Sequence, residues 1–509
     1  MDRFSYYFRN RTEPSTPVID DITWNDLEMD AFFEKFNNTC SRNGGEYLYD
    51  MLRRPLIFGD SVETLKERGR VARLFSEDHS LRERFREALK DEEKASDISF
   101  YEMLSRLDSI KREGNLIHFI SLFLGILVLL LIFINPPIGF ILFLIVSFIN
   151  ITTYFRRKGE IEGAYSVFRY LIKEIRECRA LIKKDMPGLE SYREELDGCI
   201  EKLRGIERNS WIILSGKKLT GGIAELPLDF IRLYFHPDLI KFNNMLELFI
   251  REKKAALDLF KITGFLDAEI SISLFRESLK VMAEPQFVTE NTLKVKDGYH
   301  PLLKEPVPFD IDSERLILVT GSNASGKSTF LKSAALLMIL SETVYTVSAE
   351  SFSVKPALVM TSMSIRDDII GGDSLYTAEV RSVKRITEMR ASGVDTAVFL
   401  DEVFKGTNTV ERIASLSVLL KALSDGSIVF AATHDTPLTE ILEDIYSNYH
   451  FEEEVTESGI TFPYELKKGR TDSRDAIKLL SIMGFDSDIT DSALRLSDRF
   501  IKEGIWEKL

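Results

Sequence analysis

Cysteine is nearly absent: three residues in 509, Cys40, Cys178 and Cys199, scattered without any CxxC spacing. That excludes a disulfide framework and a zinc site, and it fits a reducing compartment. Six dispersed histidines form no transition-metal cluster. Excess positive charge is also missing, since 66 Lys and Arg face 80 Asp and Glu for a net charge of −14. A globally basic nucleic-acid binder is thereby excluded, because duplex affinity comes largely from cations that displace counterions along phosphates. Met1 to Glu13 mixes Asp, Arg, Asn and Glu with no apolar core, so no secretory leader is expected. No internal repeat or low-complexity tract is visible. The apolar fraction, 44%, supplies cores for several domains in a chain too long for one.

A local absence says more. Leu116 to Phe155 contains no Asp, Glu, Lys or Arg over forty residues. Leu116 to Ile134 has 19 residues and Ile138 to Phe155 has 18. As helix the first is about 28 Å long, close to a hydrocarbon layer of roughly 30 Å. Asn135-Pro136-Pro137 separates them, because proline lacks an amide donor and disfavours helix in the residue before it. Two membrane spans with a tight uncharged turn are predicted. Lys111 and Arg112 precede the hairpin and Arg156, Arg157 and Lys158 follow it, so both flanks are expected on the cytoplasmic side. His118, Ser121 and Asn150 are too few to define a transport path, so the hairpin reads as an anchor in the lipid bilayer. The alternative is a buried hairpin in a soluble core, but core helices keep a wet face and neither segment shows a polar stripe.

What is present downstream carries chemistry. Gly321-Ser-Asn-Ala-Ser-Gly-Lys-Ser328 follows the apolar run Leu316 to Val319 and opens a helix-like segment at Thr329. It fits GxxxxGK[ST] in the strand-loop-helix setting which that motif requires, a cradle for nucleotide phosphates. Gly321 and Gly326 let the loop close on phosphate oxygens, with Ser322, Asn323, Ala324, Ser325 and Thr329 completing the cradle and the first turn. Lys327 supplies charge and Ser328 a hydroxyl for Mg²⁺. Thr396-Ala-Val-Phe-Leu-Asp-Glu402 is an apolar run of strand length ending in two carboxylates, a Walker B pattern. Asp401 would hold the metal shell and Glu402 would orient or deprotonate the attacking water. A buried strand leaving into an acidic turn is the plainer reading. A third strand-like run, Ser427 to Ala432, brings Thr433 and His434 to the same edge, where a neutral imidazole reaches the γ-phosphate or the water. On its own, a histidine there is more often structural.

The ordered series His300-Pro301, the Gly321 cradle, Phe352-Ser-Val-Lys-Pro-Ala357, Asp367-Asp368, Gly372-x-Ser374-x-Tyr376-x-x-Glu379, Asp401-Glu402-Val-Phe-Lys-Gly-Thr-Asn408 and Ala432-Thr-His434 resembles the ATPase domain of the MutS DNA mismatch-repair proteins. The resemblance runs from about Gly298 to Phe485. It implies a dimer with composite sites, in which Ser374 reaches the γ-phosphate held by the partner subunit. Ser322, Ala324 and Ser325 depart from the Pro, Met and Gly usual in that family's cradle, while the GxxxxGKS frame survives. The family's adenine-packing aromatic falls near Pro306 or Val307, leaving Phe309 as a shifted candidate. Across the base, Tyr464 matches a ring position of the family; its alternative is a strand aromatic in the core. Gly45 to Leu56 with Lys66-Glu-Arg68 resembles the start of the family's helical core, and Asp488 to Leu509 its dimerising end.

The expected fold is an α/β P-loop ATPase domain of the ABC type plus an all-α core and lever region with a two-helix transmembrane hairpin. Its parts are 1–112, a helical core segment; 113–158, the hairpin; 159–284, the helical lever; and 285–509, the ATPase domain with C-terminal dimerisation helices. The expected activity is ATP hydrolysis with Mg²⁺ in a homodimer, membrane-bound by two spans with the N-terminal and ATPase regions cytoplasmic. Double-stranded DNA is one target; the other reading is an ATP-switched clamp for a membrane or protein partner. Lys173, Arg176, Arg179, Lys183 and Lys184 form a local basic stretch on the lever, read as a solvated helix face because acidic neighbours accompany it. Phe32-Phe-Glu34 carries the letters of the family's mismatch wedge but stands in a helical apolar context, so it reads as core packing, and neither wedge recognition nor nicking is expected.

Overall fold

The computed structural model describes residues 2–11, 17–57, 61–90, 99–108, 110–208, 210, 226–322, 325–363, 375–456, 459–470, 477, 480, 484–504 and 506–508. The chain divides into two compact units, one built from 1–13, 37–50 and 71–274, the other from 14–36, 51–70 and 275–509.

The first unit is helical. Its spine is the helix Pro136–Ile182, 47 residues long, started by Asn135 as N-cap and Pro136 in the first turn, where a missing amide hydrogen costs nothing. Beyond the apolar stretch the same helix presents Phe168, Leu171, Ile172, Ile175 and Cys178 to a core completed by Phe85, Leu196, Leu203, Phe242, Phe249 and Phe260. The three- and four-residue spacing of these positions is the apolar stripe of an amphipathic helix. The helix of the second predicted span runs on past Phe155: the chain passes from exposed apolar helix to core helix with no break, carried through Gly159 and Gly163 by the packing of its apolar stripe. Asp267 caps the entry to helix Arg42–Arg53, accepting from the amides of Cys40 at 2.8 Å and Ser41 at 2.7 Å. A Cβ at Gly44 would meet the Asp267 carboxylate at 2.2 Å, so this entry requires glycine.

The helix Leu116–Ile134 packs against the first part of the spine. At the turn, a Cβ on Gly139 would lie 2.6 Å from the Ile132 backbone, so the two helices touch closely there. Only 22% and 17% of the two most apolar windows are buried, which a soluble core helix would reverse. Outward-facing residues such as Leu116, Phe123, Phe133, Ile141 and Phe148 are more than half exposed. The buried polar side chains His118, Ser121 and Asn150 lie on the inner seam. Ser121 donates to Asn150 Oδ1 at 2.6 Å, and Asn150 donates to the carbonyl of Tyr234 at 2.9 Å. His236 contacts His118 (Nδ1 to Nδ1, 3.1 Å) and the Asn150 carbonyl at 2.9 Å. The helix Leu226–Phe235 thus docks on the hairpin, and a Cβ at Gly125 would strike the Tyr234 ring. Arg157 closes the base, donating to the Lys111 carbonyl at 3.0 Å and pairing with Glu113 and Glu160. Lys111, Arg112 and Arg156 stay exposed at that end.

The second unit is mixed α/β. Its strands are β1 (Gln286–Phe287), β2 (Leu293–Gly298), β3 (Phe309–Glu314), β4 (Leu316–Thr320), β5 (Ser351–Val354), β6 (Leu358–Ser362), β7 (Thr396–Asp401), β8 (Ile428–Ala432), β9 (Ser447–His450), β10 (Glu454–Thr456), β11 (Gly459–Thr461) and β12 (Lys467–Lys468). The main sheet has the order β6-β7-β8-β4-β9-β12, parallel except for the edge strand β12. β4, β6 and β8 are buried along their whole length, as continuous apolar runs in a parallel sheet covered on both faces must be. A smaller sheet has the order β1-β5-β2-β3. Asp26 ties the N-terminal piece to this unit, accepting from Thr361 Oγ1 at 2.7 Å and the Met363 amide at 3.0 Å. Phe32 and Phe36 pack edge-on against Phe275, so Phe32-Phe33-Glu34 is core packing, as its sequence context predicts.

Candidate active site

Strands β4, β7 and β8 are neighbours running in one direction, so their C-terminal ends deliver three loops to one edge of the sheet, where open α/β sheets bind ligands. The loops stay stitched to the ladder: the Thr433 amide donates to the Val319 carbonyl and the Glu402 amide to the Ala432 carbonyl, both at 3.0 Å.

After β4, Gly321 and Gly326 have φ of 149° and 113°. Gly326 is the N-cap of helix Lys327–Thr343, whose free amides and dipole make an anion site. A Cβ at Gly321 would lie 2.8 Å from the Phe451 carbonyl, so close approach as well as conformation demands glycine. Lys327 is buried and folds back, donating from Nζ to the carbonyls of Gly321 at 2.8 Å and Ser322 at 2.7 Å. Burial lowers its pKa from the ordinary lysine value, so a phosphate anion brought here meets an ammonium stripped of water. Ser328 Oγ donates to Asp401 Oδ2 at 2.5 Å. The other carboxylate oxygen, Asp401 Oδ1, is buried with no hydrogen-bond partner among the described residues, and so is Ser325 Oγ. Burial raises the Asp401 pKa. A hydroxyl beside a carboxylate with one oxygen vacant is a donor set suited to a hydrated hard cation such as Mg²⁺.

Glu402 follows Asp401 in the left-handed region, φ 48°. Its carboxylate is contacted by His434 Nε2 and Lys405 Nζ, and Lys327 Nζ lies 3.9 Å away. The hydrogen bond from His434 is the main reason its pKa is pulled down to about 2. The five side chains expected to meet, Lys327, Ser328, Asp401, Glu402 and His434, do meet, although Asp401 is 73 residues from Ser328 in the chain.

A cavity of about 450 Å³ opens beside the cradle, lined by Ser322, Ser325 through Phe330, Ser333 and Glu402 on its polar side. Its apolar side is His300, Leu303, Val307, Phe309, Phe451 and Tyr464. The size falls in the range of small-molecule sites. Tyr464 is exposed, with φ 57°, and its ring stacks on Phe462 at 6.1 Å; it lines the cavity rather than the core. Val307 and Phe309 face the same cavity, and Phe309 also packs edge-on against Phe330 at 5.0 Å. Burial takes His300 down to about 4, leaving it a neutral wall residue at pH 7. Gly321, Ser322, Ser325, Gly326 and Thr329 stand at the cavity or its rim, whereas Asn323, Ala324 and Ser374 lie outside the described residues.

Other contacts had no signature in the chain. Ser322 Oγ bonds Glu453, a residue that reaches the site because β9 pairs with β4. Arg412 grips Asp435 with two bonds of 2.7 Å, and Asp435 is anchored to Thr433 Oγ1 at 3.0 Å, so the residue after His434 is held by a bidentate fork. Lys405, three residues after Glu402, is the one of these that loop spacing alone makes accessible.

Residues 317–500 match the family model MutS domain V. The chain is 28% identical over 395 residues to the DNA mismatch repair protein MSH3 of Saccharomyces cerevisiae, covering 71% of this chain and 38% of that protein. It is 30% identical over 219 residues to the DNA mismatch repair protein MutS of Natronomonas pharaonis, covering 40% of this chain and 25% of that protein. A further match, 28% identical over 226 residues, is MutS of Thermus thermophilus, with 43% of this chain and 28% of the relative covered. The chain therefore spans well under half the length of these relatives.

Proposed function

The chain belongs to the MutS family, and we propose on that premise that it binds and hydrolyses ATP with Mg²⁺, acting as a membrane-anchored dimer with a DNA-directed role. The observation that carries the hydrolytic part is the convergence of Lys327, Ser328, Asp401, Glu402 and His434 around a buried carboxylate oxygen with no partner among the described residues. Ser328 and Asp401 would hold Mg²⁺, whose charge offsets that of the phosphates when bound. Lys327 would exchange the carbonyls of Gly321 and Ser322 for phosphate oxygens, and the amides opening helix Lys327–Thr343 would hold the remaining charge. Glu402, ionised throughout the physiological range, would accept the proton of the attacking water, with His434 orienting its carboxylate. Tyr464 on one side and Val307 with Phe309 on the other would take the base. Ser374 would complete the γ-phosphate site of the partner subunit, as the family resemblance implies.

The domain layout follows the same reading: 1–112 and 159–284 as core and lever, 113–158 as the anchor and 285–509 as the ATPase with its dimerising helices. Support for dimerisation is the helix Ser487–Glu503, which leaves Ile489, Leu494 and Phe500 exposed. Support for the anchor is the uncharged, outward-facing apolar surface of the hairpin.

A second reading, an ATP-switched clamp for a membrane or protein partner, is favoured by charge. The net charge is −14, and the lever arginines Arg176 and Arg179 are both paired with Glu207 rather than presented as an open basic face.

The catalytic assignment is tested by Glu402→Gln. Binding of a fluorescent ATP analogue should stay within about threefold of wild type while turnover falls by about 10²-fold or more. Unchanged turnover would remove Glu402 from the role of base.

A further inference from the structure

His434 steadies the Glu402 carboxylate, but the backbone that carries it needs support of its own. It sits in a loop with two non-glycine residues in the left-handed region, Glu402 at φ 48° and Phe404 at φ 67°. Such a residue persists only where its surroundings over-determine it. On the strand side the loop backbone is held where the Glu402 amide donates to the Ala432 carbonyl at 3.0 Å. On the far side it is held by Glu379, from the second turn of helix Leu375–Ala391. Glu379 Oε1 accepts the Lys405 amide at 3.3 Å and Oε2 accepts the Gly406 amide at 3.4 Å. The side chain is buried, which raises its pKa, and the two amides and the nearby cations of Lys405 and Arg412 act against that rise. Tyr376 completes the clamp. Its backbone comes so near Gly406 that a Cβ there would lie 2.9 Å from the Tyr376 Cβ, and its ring lies 6.1 Å from Phe404. A buried carboxylate spent on two backbone amides is a costly way to fill space. It is an effective way to fix a strained turn, since both oxygens are spent on consecutive N–H groups.

We propose that Glu379 is a positioning residue for ATP hydrolysis: by holding the amides of Lys405 and Gly406 it locks the strained turn that aims the Glu402 carboxylate and places Lys405 on it. The proposal rests on the ATPase reading and deepens it. It also makes helix Leu375–Ala391 an element whose displacement would reach the catalytic base.

The test is single-turnover hydrolysis by the full-length chain in detergent micelles, alongside equilibrium binding of a fluorescent non-hydrolysable ATP analogue. Glu379→Gln keeps the size but turns one acceptor into a donor facing an N–H. The hydrolysis rate should fall about 10- to 100-fold, the penalty of a misaimed group, while analogue affinity stays within about threefold. Because Glu379 acts through Glu402, the loss should vanish when Glu402 is already Gln: E379Q/E402Q should be no slower than E402Q. A rate within about twofold of wild type, or an equal further loss in the E402Q background, would overturn the proposal. If E379Q does not fold, Glu379→Asp, which keeps the charge but withdraws the carboxylate, carries the same pair of comparisons. Absence of turnover in wild type would instead bring down the ATPase reading itself, a result distinct from an E379Q variant that matches an active parent.

Discussion

Glu342 shows how a single residue can carry a stability term that its neighbours in sequence do not announce. It sits in the last turn of helix Lys327–Thr343, fully buried, with Oε1 accepting the Ala357 amide at 2.8 Å and Oε2 without a partner among the described residues. Burial raises its pKa well above the ordinary value of 4.5. The folded protein therefore holds a proton that the unfolded chain has released, and stability falls as pH rises from about 4.5 toward the folded value. Glu342→Gln removes that titration and keeps the acceptor for Ala357. Its melting temperature, followed by scanning fluorimetry, should match wild type near pH 4 and exceed it at pH 8, where the variant is more stable by about 1–3 kcal/mol. A variant less stable at pH 8 would show that the carboxylate is compensated. At this scale the sequence was legible where chemistry fixes spacing: Lys327, Ser328, Asp401 and Glu402 announce themselves by motif. Glu453 does not, because it reaches Ser322 only through the pairing of β9 with β4; Glu379 and Lys405 stand within the motif series, but the bond from Glu379 to the turn at Lys405 and Gly406 crosses between elements and leaves no mark in the sequence.

At the scale of elements, the apolar hairpin was the most legible feature, since a missing charge over forty residues needs no tertiary information. The first helix, Leu116–Ile134, has the bounds its composition predicts. What composition did not reveal is that the second continues to Ile182 as the spine of the helical unit, or that Asn150, Ser121 and His118 hold the docked chain at Tyr234 and His236. Their contacts give those polar residues a structural use. The anchor is therefore best tested by replacing 119–149 with a short Gly-Ser linker, which keeps His118, Asn150 and Tyr154, the last bonded to Asp238 at 2.8 Å. Full-length protein should sediment with membranes and need detergent for release, and the variant should move to the soluble fraction. A full-length chain that stays in the supernatant without detergent defeats the anchor.

For the whole molecule the open choice is between duplex DNA and another partner. Phosphate contacts make affinity fall steeply with salt, by a slope set by the number of cations engaged. On the DNA reading, purified protein with ATP should bind a labelled duplex at low salt and lose affinity as salt rises, in an anisotropy titration run with and without nucleotide. No binding at low salt in either state would leave the clamp reading. The acidic balance and the Glu207 pairs weigh toward that outcome, and the family of the relatives weighs against it.

The order of residues along the chain determined the strand-loop-helix cradle, the carboxylate pair after β7 and the uncharged hairpin, because each depends on local spacing, periodicity or composition. Only tertiary structure decided which loops converge, since the parallel order β7-β8-β4 is what sets Glu402 beside His434 and Asp401 beside Ser328. It also decided that Glu379 reaches across to the turn at Lys405 and Gly406. Contacts between loops distant in sequence follow from sheet order and burial, and neither leaves a periodic mark in the chain.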